Sequence, residues 1–184
     1  MRATMCGLVA IALVSLVGCT RTENPSPPTT ITTTVTASTV QGTTRTAPSQ
    51  GTAVDPADYQ GPGGHFFASP SAKWHCGIVA ASRQAGCHGP MPADAPAVPG
   101  SGAPDTMVRP NSIVVAWGNQ MARFTSIGDP QFMPDGPNSR PLPYGRSLTV
   151  GNFTCTVAQT TGVTCTNTLS HHGFTVSDHA YELR

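Results

Sequence analysis

The chain has 184 residues, with 19 Gly and 18 Pro against 6% aromatics, a composition of short strands and long turns more than of a helical bundle. Charged residues are 10% of the total and the formal net charge is +1. That leaves no field for gathering phosphate backbones and argues against nucleic acid as a partner.

Residues 1–18 have the parts of an export signal: Arg2 supplies a short positive region, and a nearly continuous apolar run extends from Cys6 to Val17. The run is too short for a comfortable membrane span. It closes on Leu16, Val17, Gly18 and Cys19, which resembles the bacterial lipobox. The resemblance implies a thioether-linked diacylglycerol on Cys19, cleavage before it, and acylation of the new amino terminus. Each buried methylene contributes about 0.8 kcal/mol, so two or more chains hold where one would not. The expected location is the outer face of the cell membrane, with the membrane itself a partner through the anchor. An ordinary secretory signal would instead leave Cys19 as an odd thiol. Cys6 lies in the leader and is lost with it.

Residues 19–60 are crowded with Thr, Ser and Pro, as at Pro27, Pro28, Thr29 and Thr30. Few bulky apolar groups are present, too few to offset the entropy of ordering, so a disordered tether is expected. About 40 flexible residues would span roughly 35 Å on average. Such Thr-rich stretches also suit O-linked sugar.

Residues 61–184 remain as the folded domain. It holds Cys76, Cys87, Cys155 and Cys165, an even set in an exported chain and therefore a disulfide framework. Three pairings are possible, and hairpin geometry favours one. Folding the chain at Thr160 sets Cys155 opposite Cys165 and Val157 opposite Val163, with Gly162 after the turn to accept a positive φ. A second hairpin, turning near Ala81 and Ser82, sets Cys76 opposite Cys87 and Ile78 opposite Ala85. His75 and His88 beside these cysteines raise zinc as a competitor, but finger sites space their cysteines within two to four residues.

Further strands are expected at 112–117, with Ile113, Val115 and Trp117 on one face, and at 121–127 after a turn at Gly118 and Asn119. Residues 147–157 read as a strand bent at Gly151, and 173–183 as a terminal strand with Phe174 and Val176 on one face. Residues 89–111 and 128–144 are Pro-rich loops, long for a compact domain. The expected fold is mainly β: a small disulfide-stapled antiparallel sheet or barrel-like domain with long Pro/Gly-rich loops.

The phrases Phe67-Ala68-Ser69-Pro70-Ser71, Leu142-Pro143-Tyr144-Gly145, Gly151-Asn152-Phe153-Thr154-Cys155, Gly162-Val163-Thr164-Cys165-Thr166-Asn167 and His172-Gly173-Phe174 resemble an uncharacterised four-cysteine domain of actinobacterial, mycobacterial-type secreted proteins and lipoproteins. The resemblance covers most of residues 64–183. Its four cysteines are compatible with the two-hairpin pairing, and it implies no activity or catalytic residues.

Candidate chemistry is sparse. His171, His172 and His179 could contribute to a metal or acid–base site, although neighbours on a strand point to opposite faces. Ser177, Asp178 and His179 are consecutive and cannot converge as a triad. Ser71 and Lys73 lack the spacing of a Ser-x-x-Lys enzyme, and no Gly-x-Ser-x-Gly elbow occurs. A Pro-flanked loop presenting Arg140, Tyr144 and Arg146 is a possible ligand surface for a glycan or protein. The leading expectation is a non-enzymatic, cofactor-free binding module of the cell envelope, with a protein, glycan or lipid ligand. The alternatives are an envelope enzyme using histidine or a metal, and a structural or antigenic surface protein.

Overall fold

The computed structural model describes residues 52–184 apart from 135, 137 and 138. The expected leader, the expected lipidation at Cys19 and the expected tether up to residue 51 lie outside the described residues. No helix among the described residues is long and apolar enough to cross a membrane.

Among the described residues fourteen strands form three sheets. The first runs in the order β1 (Thr52–Ala53), β10 (Arg146–Val150), β11 (Phe153–Ala158), β12 (Gly162–Asn167), β13 (Gly173–Val176) and β14 (Tyr181–Leu183). The second runs β2 (Gln60–Gly61), β3 (Gly64–Ala68), β4 (His75–Val79), β5 (Gln84–His88), β8 (Ser112–Ala116) and β9 (Arg123–Thr125). β6 (Val98–Gly100) and β7 (Ala103–Val108) pair separately. All pairings are antiparallel except that of β1 with β10. The fold is thus mainly β and built of open sheets, not a closed barrel.

Both cysteine hairpins take the expected register. Cys155 faces Cys165 and Val157 faces Val163, and Cys76 faces Cys87 with Ile78 opposite Ala85. Each cysteine pair is joined, with Cα atoms 4.1 Å and 4.0 Å apart. Gly162 closes the first turn at φ +81°, and a Cβ there would stand 2.0 Å from the Val176 carbonyl oxygen, so this position admits only glycine.

Alternation along β11 and β12 sends Phe153, Cys155, Val157, Val163 and Cys165 into a core shared with Phe67, Cys76, Ile78, Cys87, Ile113 and Val115 of the second sheet. The second sheet is also covered on its other face. There Phe66, Val114 and Phe132 are buried, and the Phe132 ring lies where a Cβ on Gly86 would be. Burial on both faces explains why β4 and β5 lack the in–out alternation of a half-solvated strand.

Four sequence expectations are corrected. The folded domain begins before Gly61: β1 pairs with Arg146 and Ser147, and Tyr59, closing a short 3-10 turn at Pro56–Tyr59, is buried in the core. Tyr59 is the apolar anchor that the polar composition of the stretch concealed. Residues 147–157 are two strands joined by a tight turn at Gly151 and Asn152, where Gly151 takes φ +55°. The terminal run splits likewise into β13 and β14 about a turn braced by Ser177. Residues 89–111 are not plain loop, since they contain both β6 and β7, which stay largely exposed and so carry no hydrophobic alternation.

Candidate functional site

A groove of about 620 Å3 opens where several turns meet. Gly61, Gly63 and Gly64 border it from the β2–β3 turn, Ala80, Ala81 and Arg83 from the β4–β5 turn, Trp117 from beyond the end of β8, and Gly151 and Asn152 from the β10–β11 turn. Its volume is within the range of small-molecule sites. Trp117 is 48% exposed, against 3% for Trp74. Alternation along β8 would have buried it with Ile113 and Val115, but the strand ends at Ala116 and the chain turns away at Gly118, which takes φ +95°.

Trp117 is held, not loose. Its backbone N–H donates to the Arg83 carbonyl at 2.8 Å, and the Arg83 guanidinium carbon lies 4.5 Å from the ring centroid. Such a stack contributes about 0.5–1 kcal/mol at an exposed site. Arg83 itself takes φ +50°, so a residue that is not glycine holds a left-handed conformation where its side chain can cover the indole. Gln60, His65 and Asn152 add hydrogen-bonding groups, while Ile78, Val79, Val150 and Phe153 supply apolar wall. Among the described residues no carboxylate lines the groove, which offers the exposed indole of Trp117, the Arg83 guanidinium and several hydrogen-bonding groups.

A second cavity, of about 420 Å3, gathers residues that the sequence scatters: Ser71, Lys73, Tyr144, Ser177, Asp178 and His179. Lys73 Nζ binds Asp178 Oδ2, and this hydrogen bond holds the Asp178 carboxyl below its usual range. His179 Nε2 lies 3.4 Å from Asp178 Oδ1. The hydroxyls are engaged elsewhere. Ser69 Oγ accepts from the Trp74 N–H and pairs with Ser71 Oγ, and Ser177 Oγ is bound to the backbone of its own turn. Lys73 and Asp178 thus form an ion pair with the His179 ring beside it, and no hydroxyl is bonded to that ring among the described residues.

The remaining predicted residues are dispersed. Arg140 pairs with Asp58 at 3.1 Å and lies over the Tyr59 ring, fastening the start of the domain. Tyr144 is exposed and lines the second cavity, and Arg146 is exposed on β10 beside Thr52. His172 Nε2 meets Asn119 Oδ1 at 3.2 Å, whereas His171 occupies a turn at φ +61°. His171, His172 and His179 are not gathered on one site, and no group of three or more His, Cys, Asp or Glu among the described residues is placed to hold a metal.

Sequence reading missed Trp117 and Arg83 as surface residues. The usable signal was Gly118, which ends the strand just after the tryptophan. Comparison of the chain with protein-family models, with curated proteins and with solved structures gives no match.

Proposed function

We propose that this chain is a lipid-anchored binding module of a bacterial cell envelope, of the actinobacterial type its sequence resembles, and that the groove at Trp117 seats a neutral oligosaccharide. The observation that carries the reading is the exposed indole of Trp117, fixed by Arg83 inside a concave surface. Sugar rings present apolar C–H faces that pack on an indole, and hydroxyls that suit Asn152, Gln60 and Arg83. A preorganised aromatic loses little side-chain entropy on binding. The lipobox-like end of the leader supports attachment through Cys19, and the two disulfides suit an oxidising compartment. The tether then sets how far from the membrane a ligand can lie.

The test is a fluorescence titration of the purified mature protein in detergent micelles with linear glucan, mannan and arabinan oligosaccharides. Trp74 is buried, so a ligand-dependent change reports mainly on Trp117. A saturable change with at least one saccharide, abolished in Trp117→Ala, is expected. Absence of any response across the panel, or equal binding by Trp117→Ala, would overturn the reading in favour of a protein ligand at another surface.

A further inference from the structure

On the outer face of the second sheet, His75 of β4 stands directly opposite His88 of β5, next to the Cys76–Cys87 pair in the same register. The Phe132 ring covers this face, with its centroid 5.4 Å from that of His88. Each histidine has one buried ring nitrogen without a hydrogen-bond partner. His88 Nδ1 lies 3.3 Å from the Asn111 carbonyl oxygen and 2.7 Å from Ser112 Oγ, and Ser112 Oγ donates to Asn111 Oδ1 at 3.0 Å. A carbonyl, and a hydroxyl whose proton is already used, can only accept. Nδ1 therefore carries the proton and Nε2 keeps the lone pair. That Nε2 is buried and has no partner.

On His75 the bare nitrogen is Nδ1, which is buried without a partner. Leaving a buried polar nitrogen without a partner is costly. Two such bare nitrogens on facing residues call for a shared occupant, and an N–H anchored on a backbone carbonyl with the opposite nitrogen free, as in His88, is the arrangement of a metal-ligating histidine.

We propose that His75 Nδ1 and His88 Nε2 together ligate one monovalent d10 cation of the copper(I) class. Imidazole suits copper. Cys76 and Cys87 are held in a disulfide and supply no thiolate, and no carboxylate joins the two rings in a metal-binding group among the described residues. Without an anionic ligand a divalent ion would keep its full charge in a buried site, at large desolvation cost, whereas a monovalent ion satisfied by two ligands carries less.

The test uses silver(I), a redox-inert stand-in of the same charge and electron count that needs no reductant and so spares the disulfides. The mature protein is titrated with silver nitrate while the histidine ring nitrogens are followed by 15N NMR. One equivalent should bind, moving the resonances of His75 Nδ1 and His88 Nε2 and leaving the other four histidines in place. His75→Asn or His88→Asn should weaken binding by roughly 100-fold or more, while Trp117→Ala and the triple variant of His171, His172 and His179 to Asn bind as the native chain does. No silver uptake, uptake with these two resonances unmoved, or preferential uptake of zinc(II) would each overturn the proposal. The ring-nitrogen readout is made on the native chain, so it decides even where a variant fails to fold.

Discussion

The guanidinium of Arg83 covers the ring of Trp117, and the backbone carbonyl of the same arginine accepts the Trp117 backbone N–H. One residue thus fixes both the main chain and the side chain of the groove's aromatic surface. Arg83→Ala should lower saccharide affinity by about tenfold, through loss of the stack and of the ordered indole. Arg83→Gly should lose affinity equally yet raise the melting temperature, because glycine accepts φ +50° without strain. Titration and thermal melting of both variants check this. Unchanged affinity in both would show that the arginine does not position the indole.

The two disulfides close loops of 11 and 10 residues. Chain entropy gives each about 3 kcal/mol, which for a domain of this size is roughly 10 °C in melting temperature. The paired substitutions Cys76→Ala with Cys87→Ala, and Cys155→Ala with Cys165→Ala, should each lower the melting temperature by about that amount. All four cysteines are fully buried, so reduction of the native chain by a soluble thiol should be slow and should accelerate in mild urea.

Those bridges were legible in the sequence because a hairpin is a local object: the alternation of Phe153, Cys155 and Val157, mirrored by Val163 and Cys165 around one glycine, permits few registers. Trp117 was not legible. Its alternation with Ile113 and Val115 is intact, and only the turn at Gly118 takes it off the sheet. Tyr59 was hidden for the opposite reason, being a lone apolar residue in polar sequence whose burial depends on Arg140 and Pro141, some 80 positions away. His75 and His88 drew notice only as neighbours of cysteines. Their facing register follows from the hairpin, but the bare nitrogen of His88 is set by Asn111 and Ser112 on a different strand connection.

The same histidines set a pH dependence. Burial lowers the pKa of His75 and of His88 below 6.5, and the groups around them are the carbonyls of Ala72 and Asn111, the Ser112 hydroxyl and the Phe132 ring. The unfolded chain therefore binds more protons than the folded one between the lowered values and 6.5. Stability is constant above that window, falls as pH drops through it, and levels once both states are protonated. Asp178 acts lower on the scale: its depressed pKa stabilises above 3.8, and that contribution disappears as pH falls through the folded value. Urea midpoints at pH 7 and pH 5 should differ in the native chain and differ much less in the His75→Asn, His88→Asn double variant. Equal slopes for the two proteins would refute the assignment.

The proposed attachment through Cys19 is checked in the producing cell. Cys19→Ala should abolish incorporation of labelled palmitate and release the domain from membranes, since acyl chains on this residue would supply about 0.8 kcal/mol per methylene. Retention of the variant on membranes washed in high salt would show that something other than lipid holds it.

The start of the domain gives the last prediction. Tyr59 is 5% exposed, its hydroxyl donates to the Pro141 carbonyl at 3.2 Å, and Asp58 beside it pairs with Arg140. Upstream, Val54 N–H donates to the Ser147 carbonyl at 2.9 Å, extending the β1–β10 ladder. Tyr59→Ala removes a buried ring and should cost about 3–5 kcal/mol, whereas Tyr59→Phe loses one partly buried hydrogen bond and should cost about 1 kcal/mol. A chain trimmed to begin at Gly61 should lose at least as much as Tyr59→Ala, because it gives up the ring, the Arg140 contact and the β1 pairing together. A chain beginning at Thr52 keeps all three and should match the mature protein in its urea midpoint. If the Gly61 chain were equally stable, residues 52–60 would belong to the tether after all, and Tyr59 would be a passenger on a core complete without it.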